Sequence, residues 1–265
     1  MASLLLRILL APALIAAASL AGRRWGPAIS GWLIGLPLTS GPVCFLLAIT
    51  YGETFAAVAA RGTLAGTLSL EAFTLTYAWV ARRNRWPLSF GVATLVFAAA
   101  TFALQRLTLG VAPLVGLVLL SMAVTIALMP RVPRSVAPPP DATPSRWDLP
   151  ARMLIAGGVV GGLTAGAPLL GPHLTGMLSP FPIYGSILAI FAHRQLGSDA
   201  AVGVLRGMLY GMFAFVSFFV VVTTLLEPLG IAAAFILAIV VALLAHGSSL
   251  WLLRRPRALA PAAQG

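Results

Sequence analysis

Nine apolar stretches of about 20 residues follow one another along this 265-residue chain, at 3–21, 28–50, 55–81, 87–105, 110–129, 151–169, 173–192, 199–225 and 230–252. A helix needs about 20 such residues to cross the hydrocarbon core of a bilayer. The run from Pro87 to Pro130 is too long for one crossing and divides at Gln105-Arg106, so it counts as two. Only 9% of the residues are charged, against roughly 25% in a soluble domain, so the chain cannot cover a water-facing surface. The pattern predicts an all-α polytopic membrane protein with about nine transmembrane helices.

The net charge of +11 comes entirely from arginine, because the chain has no lysine. In a soluble protein such a balance would point to nucleic acid; here it points to loop arginines that set orientation. One set of loops holds Arg23, Arg24, Arg82, Arg83, Arg85, Arg131, Arg134, Arg146, Arg194, Arg254, Arg255 and Arg257. The opposite set holds Arg106 with Glu53 and Glu227. This bias places the N-terminus outside and the C-terminus in the cytoplasm of a bacterial-type inner membrane. The first stretch is followed by a basic pair, which suits a retained span better than a cleaved signal. Pro130 to Pro150, with seven prolines, reads as an extended cytoplasmic linker.

Displacing the chain on itself by 145 residues aligns Gly26, Pro27, Gly31, Leu33 and Pro37 with Gly171, Pro172, Gly176, Leu178 and Pro182. The same offset pairs Gly52, Ala56, Arg61, Gly62, Leu64 and Gly66 with Gly197, Ala201, Arg206, Gly207, Leu209 and Gly211. These are 11 identities over 41 positions without a gap, and most are Gly, Pro or Arg rather than common apolar residues. The division is a first four-helix repeat at 1–108, a fifth helix and Pro-rich linker at 109–150, a second repeat at 151–253 and a basic tail at 254–265. Five crossings separate equivalent helices, so the halves are inverted, a recurrent plan of secondary transporters.

Four arginines lie within spans, as two repeat-related pairs. Arg7 and Arg152 are near helix ends and can snorkel to the headgroups. Arg61 and Arg206 lie about two turns in, where a cation costs a few kcal/mol unless it faces protein, water or an anion. Two readings follow: a substrate-binding pair, or structural arginines bonded to carbonyls of broken helices. Helices two and seven are each interrupted, around Pro37 and around Pro182. Proline there frees backbone groups at mid-membrane, and Thr39, Ser40, Tyr184 and Ser186 add hydroxyls. The candidate substrate site is therefore Arg61, Arg206, Pro37, Thr39, Ser40, Pro182, Tyr184 and Ser186. The alternative is a plain proline kink in each helix.

Glu71 is the one deep carboxylate, roughly 15 Å from the inner end of helix three. Similar depths for Arg206 and His246 predict a polar cluster of the three, with Glu71 and His246 as coupling residues. Glu71 matches Val216 in the other half. Gly62-x3-Gly66 and Gly207-x3-Gly211 read as packing motifs between helices three and eight. The single cysteine, Cys44, excludes an internal disulfide. The chain lacks zinc-ligand spacing and hydrolase or phosphate-loop signatures, so no metal, cofactor or enzymatic activity is expected.

Gly176-x4-Phe181-Pro182, Gly197-x8-Arg206 and Gly211-Met212 resemble the small four-helix membrane proteins of the GlpM type. The resemblance implies one repeat per such protein and, for this chain, a fused inverted form. The expected function is a secondary carrier moving a small or amphiphilic anion by alternating access, with proton coupling. A flippase for a phosphate-bearing lipid and a non-transporting scaffold of an envelope-assembly complex are the alternatives. Expected partners are membrane lipids, an anionic small molecule or lipid phosphate, and a second copy in a homodimer; nucleic acid is not expected.

Overall fold

Gly52 and Gly197, 145 residues apart, adopt nearly the same backbone conformation, with φ 89° and ψ 168° at the first and φ 90° and ψ 179° at the second. Only glycine takes this conformation without strain, and each uses it to end one helix and start the next. The computed structural model describes residues 2–38, 40–105, 109–132, 147–155, 158 and 181–254, with backbone alone at 2–11 and 254. Among these residues every regular element is a helix. They are α1 (Ala2–Trp25), α2 (Pro27–Leu33), α3 (Ser40–Tyr51), α4 (Glu53–Val80), α5 (Trp86–Leu104) and α6 (Val111–Leu128), then α7 (148–155), α8 (Ile183–Leu196) and α9 (Ser198–Arg254). The α3–α4 junction and the α8–α9 junction fall at the same offset of 145 residues.

Three of the helices, α5, α6 and α9, are long and apolar enough to cross a membrane. At 57 residues α9 is far longer than one crossing needs, since about 20 residues span the core. Gly230, at φ 75°, divides it, and the Phe218–Phe235 ring contact at 5.9 Å shows the chain folding back on itself there. The sequence reading ended helix eight at 225; instead Glu227 and Pro228 remain helical and the turn is confined to Gly230. The predicted interruption of helix two is present as the non-helical stretch between α2 and α3. At the other break, Phe181 and Pro182 are non-helical and α8 starts at Ile183; the residues before them lie outside the described set.

Close packing between α2 and α9 depends on bare backbone. A Cβ added to Gly31 would run into the Val204 carbonyl, one on Gly207 into the Ala28 carbonyl, and one on Gly35 into Gly211. Gly207 and Gly211 thus do serve as small-residue packing positions, but against α2 rather than against helix three as their spacing alone indicated. Gly62 faces open space.

Helices α4 and α6 run parallel: Arg61 meets Leu109, Glu71 meets Ser121 and Trp79 meets Leu128. Along them lie two apolar clusters. One gathers Leu70, Phe73, Tyr77, Phe97 and Met122 with residues of α8 and the first part of α9. The other gathers Cys44, Ala56, Leu64, Val118 and the central part of α9. Between Leu64 and Phe73 on α4, and between Val118 and Met122 on α6, sit the buried polar residues Thr67, Ser69 and Glu71 and their neighbour Ser121.

Five of the six tryptophans, Trp25, Trp79, Trp86, Trp147 and Trp251, lie within a few residues of loop arginines. Four of these, all but Trp86, are well exposed. Tryptophan concentrates at the headgroup level of a bilayer, so this belt marks one end of the molecule, called here the arginine-rich end.

Candidate functional site

The repeat-related arginines both address α6. The Arg61 Nη2 donates to the carbonyl of Leu109, just before the first turn of α6. The Arg206 Nη2 donates to the carbonyls of Met129 at 3.2 Å and Pro130 at 2.8 Å, just past its last turn. A helix leaves its last carbonyls without intrahelical partners and carries partial negative charge there, so Arg206 occupies a place that favours a cation. Arg61 stands at the opposite, positive end of the same helix. Both bonds go to carbonyls at the ends of α6 rather than to those of the interrupted helices.

Glu71 is 2% exposed. Its Oε2 accepts a hydrogen bond from the Ser121 hydroxyl at the middle of α6. Its Oε1 has no partner among the described residues. Val216, 145 residues further on, is buried in the second apolar cluster. The expected cluster of Glu71, Arg206 and His246 is not assembled. Glu71 bonds Ser121 and Arg206 bonds the end of α6, while His246 stacks on Trp32 at 3.7 Å with 13° between the rings. The Trp32 indole N–H in turn donates to Ser249 at 3.0 Å. Equal depth along different helices does not bring side chains to one face, and depth was all the sequence supplied.

The two helix interruptions do adjoin. Ile34, at the end of α2, has its Cδ1 3.6 Å from where a Cβ on Gly185 would stand. The Pro37 carbonyl accepts from the Gly41 amide at 2.9 Å and the Pro182 carbonyl from the Ser186 amide at 2.7 Å, so each proline carbonyl opens the helix that follows it. Ser40 starts α3 and Tyr184 lies in the first turn of α8. Ser186 is buried with its hydroxyl unpartnered among the described residues. Thr39 lies outside the described set. Phe181 anchors the second break, meeting Phe97 at 5.1 Å, Phe73 at 5.8 Å and Phe90 at 6.5 Å in edge-to-face contacts.

Sequence reasoning missed Asp148. It belongs not to an extended linker but to the first turn of α7, and its side chain is only 2% exposed. The carboxylate pairs with Arg23 of α1 at 2.9 Å and Arg152 of α7 at 3.1 Å, and accepts from Gln195 of α8. Arg152 also donates to the Gln195 side-chain carbonyl at 3.0 Å and lies 4.6 Å over the Phe191 ring. Arg152 is therefore buried in a network and does not snorkel. Burial alone would raise the Asp148 carboxyl; the Arg152 charge and the bonds from Gln195, Arg23 and Arg152 outweigh it and hold it below the ordinary carboxylate range. An acidic residue four positions before an arginine at a helix start was the available signal.

At the same end, a cavity of ≈ 440 Å³ opens between the α4–α5 turn and the α8–α9 junction. Arg82, Arg83, Arg85 and Arg194 line it, with Trp86 and His193, and among the described residues no carboxylate does. The sequence reading assigned these arginines to orientation alone.

No group of three or more His, Cys, Asp or Glu side chains suited to a metal occurs among the described residues. No protein-family model matches this chain, and no curated protein or solved structure matches it.

Proposed function

We propose that this protein is a membrane carrier that moves a small or amphiphilic anion by alternating access between two inverted four-helix halves. One observation carries the reading: equivalent arginines of the two halves, Arg61 and Arg206, bind opposite ends of one helix. An inversion about an axis through the middle of α6 produces that relationship, whereas a parallel duplication would set both arginines at the same level. In this reading the nine crossings have the N-terminus outside and the C-terminus in the cytoplasm of a bacterial inner membrane. The single-repeat proteins of the GlpM type would be the unfused counterpart.

The mechanism uses the arginines' present partners. An anion arriving from one side replaces the Leu109 carbonyl on Arg61; from the other side it replaces those of Met129 and Pro130 on Arg206. The two halves rock against α6, which carries neither repeat's fold and is free to act as the axis. Glu71, facing the middle of α6 with one oxygen open, takes up the coupling proton. The interrupted helices at Pro37 and Pro182 supply backbone groups beside the path.

Reconstitution into proteoliposomes tests this. Uptake of a soluble organic anion, lost in Arg61→Ala and in Arg206→Ala, is the expected result; normal uptake by both variants overturns the site. A flippase for a phosphate-bearing lipid is the second reading, favoured by the arginine-lined cavity at the level of the tryptophan belt. It is distinguished by movement of labelled lipid between leaflets without anion uptake. A scaffold subunit of an envelope-assembly complex moves neither.

A further inference from the structure

The cavity between the α4–α5 turn and the α8–α9 junction has a composition that orientation alone does not require. Its rim concentrates four guanidinium groups within two short turns. Arg82 is engaged with the Arg131 carbonyl at 3.4 Å. The side chains of Arg83, Arg85 and Arg194 are exposed and make no hydrogen bond or ion pair with described residues. Asp199, close by in the chain, does not line the cavity. Like charges gathered without a counter-ion repel one another unless an anion joins them, and a guanidinium fork matches phosphate oxygens in pairs.

What surrounds the cavity identifies the source of that phosphate. Trp86 lines it and exposed Trp79 stands one turn below on α4, which sets the opening at headgroup level. From that opening an apolar stripe descends α5: Leu88, Leu95 and Phe102, seven residues apart and 55%, 71% and 66% exposed. Seven residues are close to two full turns, so the three lie on one outward face. A basic cavity at the top of an exposed apolar stripe fits a phosphate head and an acyl chain together.

We propose that this cavity binds the phosphate of an anionic phospholipid, with an acyl chain along Leu88, Leu95 and Phe102. The site rests on the chain being embedded in a bilayer and not on transport; it would be occupied in a carrier, a flippase or a scaffold alike.

Native mass spectrometry of the full chain tests it, with phosphatidylglycerol and phosphatidylcholine as probes and inorganic phosphate as competitor. Wild type is expected to retain phosphatidylglycerol in preference to phosphatidylcholine. The triple variant Arg83→Ala, Arg85→Ala, Arg194→Ala is expected to lose that preference by about a hundredfold, at roughly fivefold per arginine. A charge-matched variant, Arg254→Ala, Arg255→Ala, Arg257→Ala, is expected to keep it. Equal retention by the cavity variant overturns the site. So does an equal loss in the charge-matched variant, which would mean nonspecific attraction. Displacement of the lipid by millimolar inorganic phosphate also overturns it, because the site would then recognise a soluble anion. The three arginines are exposed, so their removal is expected to leave thermal unfolding unchanged; that control separates lost binding from lost fold.

Discussion

Arg61 and Arg206, 145 residues apart in the chain, hold opposite ends of the same helix. The fifth predicted span, α6, is the element that both arginines grip. Its N-terminal end meets Arg61, its middle meets Glu71 through Ser121, and its C-terminal end meets Arg206. An arginine inside a bilayer protein costs a few kcal/mol; charge-assisted bonds to carbonyls that no helix turn can use offset that cost.

The two arginines are not expected to contribute equally. Arg206→Ala leaves two carbonyls at the negative end of α6 without this donor, a loss of about 2–3 kcal/mol. Arg61→Ala removes one bond at the positive end and is expected to cost about 1 kcal/mol. Thermal unfolding in detergent compares them, and a larger loss for Arg61→Ala would contradict the helix-end account.

Glu71→Gln keeps a carbonyl oxygen to accept from Ser121, so the fold is expected to survive with its melting temperature within a few degrees of wild type. Any proton dependence of anion uptake is expected to vanish, because Gln cannot take a proton across the middle of α6. Uptake driven by an imposed pH gradient measures this, and an unchanged response in Glu71→Gln would remove the coupling role.

Backbone contact between α2 and α9 leaves no room for a side chain at Gly207. Gly207→Ala is expected to force the helices apart and to cost about 2–3 kcal/mol, within the range for overpacking. Gly62→Ala, its repeat partner, faces open space and is expected to stabilise by up to about 1 kcal/mol through helix propensity alone. Chemical or thermal denaturation of the two single variants tests the contrast.

Acid is expected to loosen the junction of α1, α7 and α8. The Asp148 carboxyl is held below its ordinary value in the folded chain, so its stabilisation is fully present above the unfolded value of about 3.9 and is lost as pH falls through the lower folded value. Wild type and Asp148→Asn are expected to differ in melting temperature at pH 7 and to begin to converge only as pH falls below about 4. A difference that persists unchanged into acid would show that the carboxylate charge is not what joins Arg23 and Arg152.

The alternation of apolar runs with arginine loops made the helical, membrane-embedded class legible without coordinates, because a bilayer demands about 20 apolar residues per crossing and the chain supplies them. Gly52 and Gly197, together with Pro37 and Pro182, announced where helices end, since those residues act on their own backbone. Local chemistry of this kind is written at the position where it acts. Contacts between helices are not: the offset of 145 residues paired Arg61 with Arg206, but nothing in either neighbourhood says that α6 supplies the carbonyls. Depth along a helix placed Glu71, Arg206 and His246 at one level, while the rotation of each helix sent them to Ser121, to Met129 and Pro130, and to Trp32. Asp148 was hidden among linker prolines and became a buried junction only when α1, α7 and α8 converged on it. The sequence determined the helical class and the breaks around Pro37, Gly52 and Gly197; helix rotation and packing, set by surfaces far apart in the chain, decided which polar groups meet.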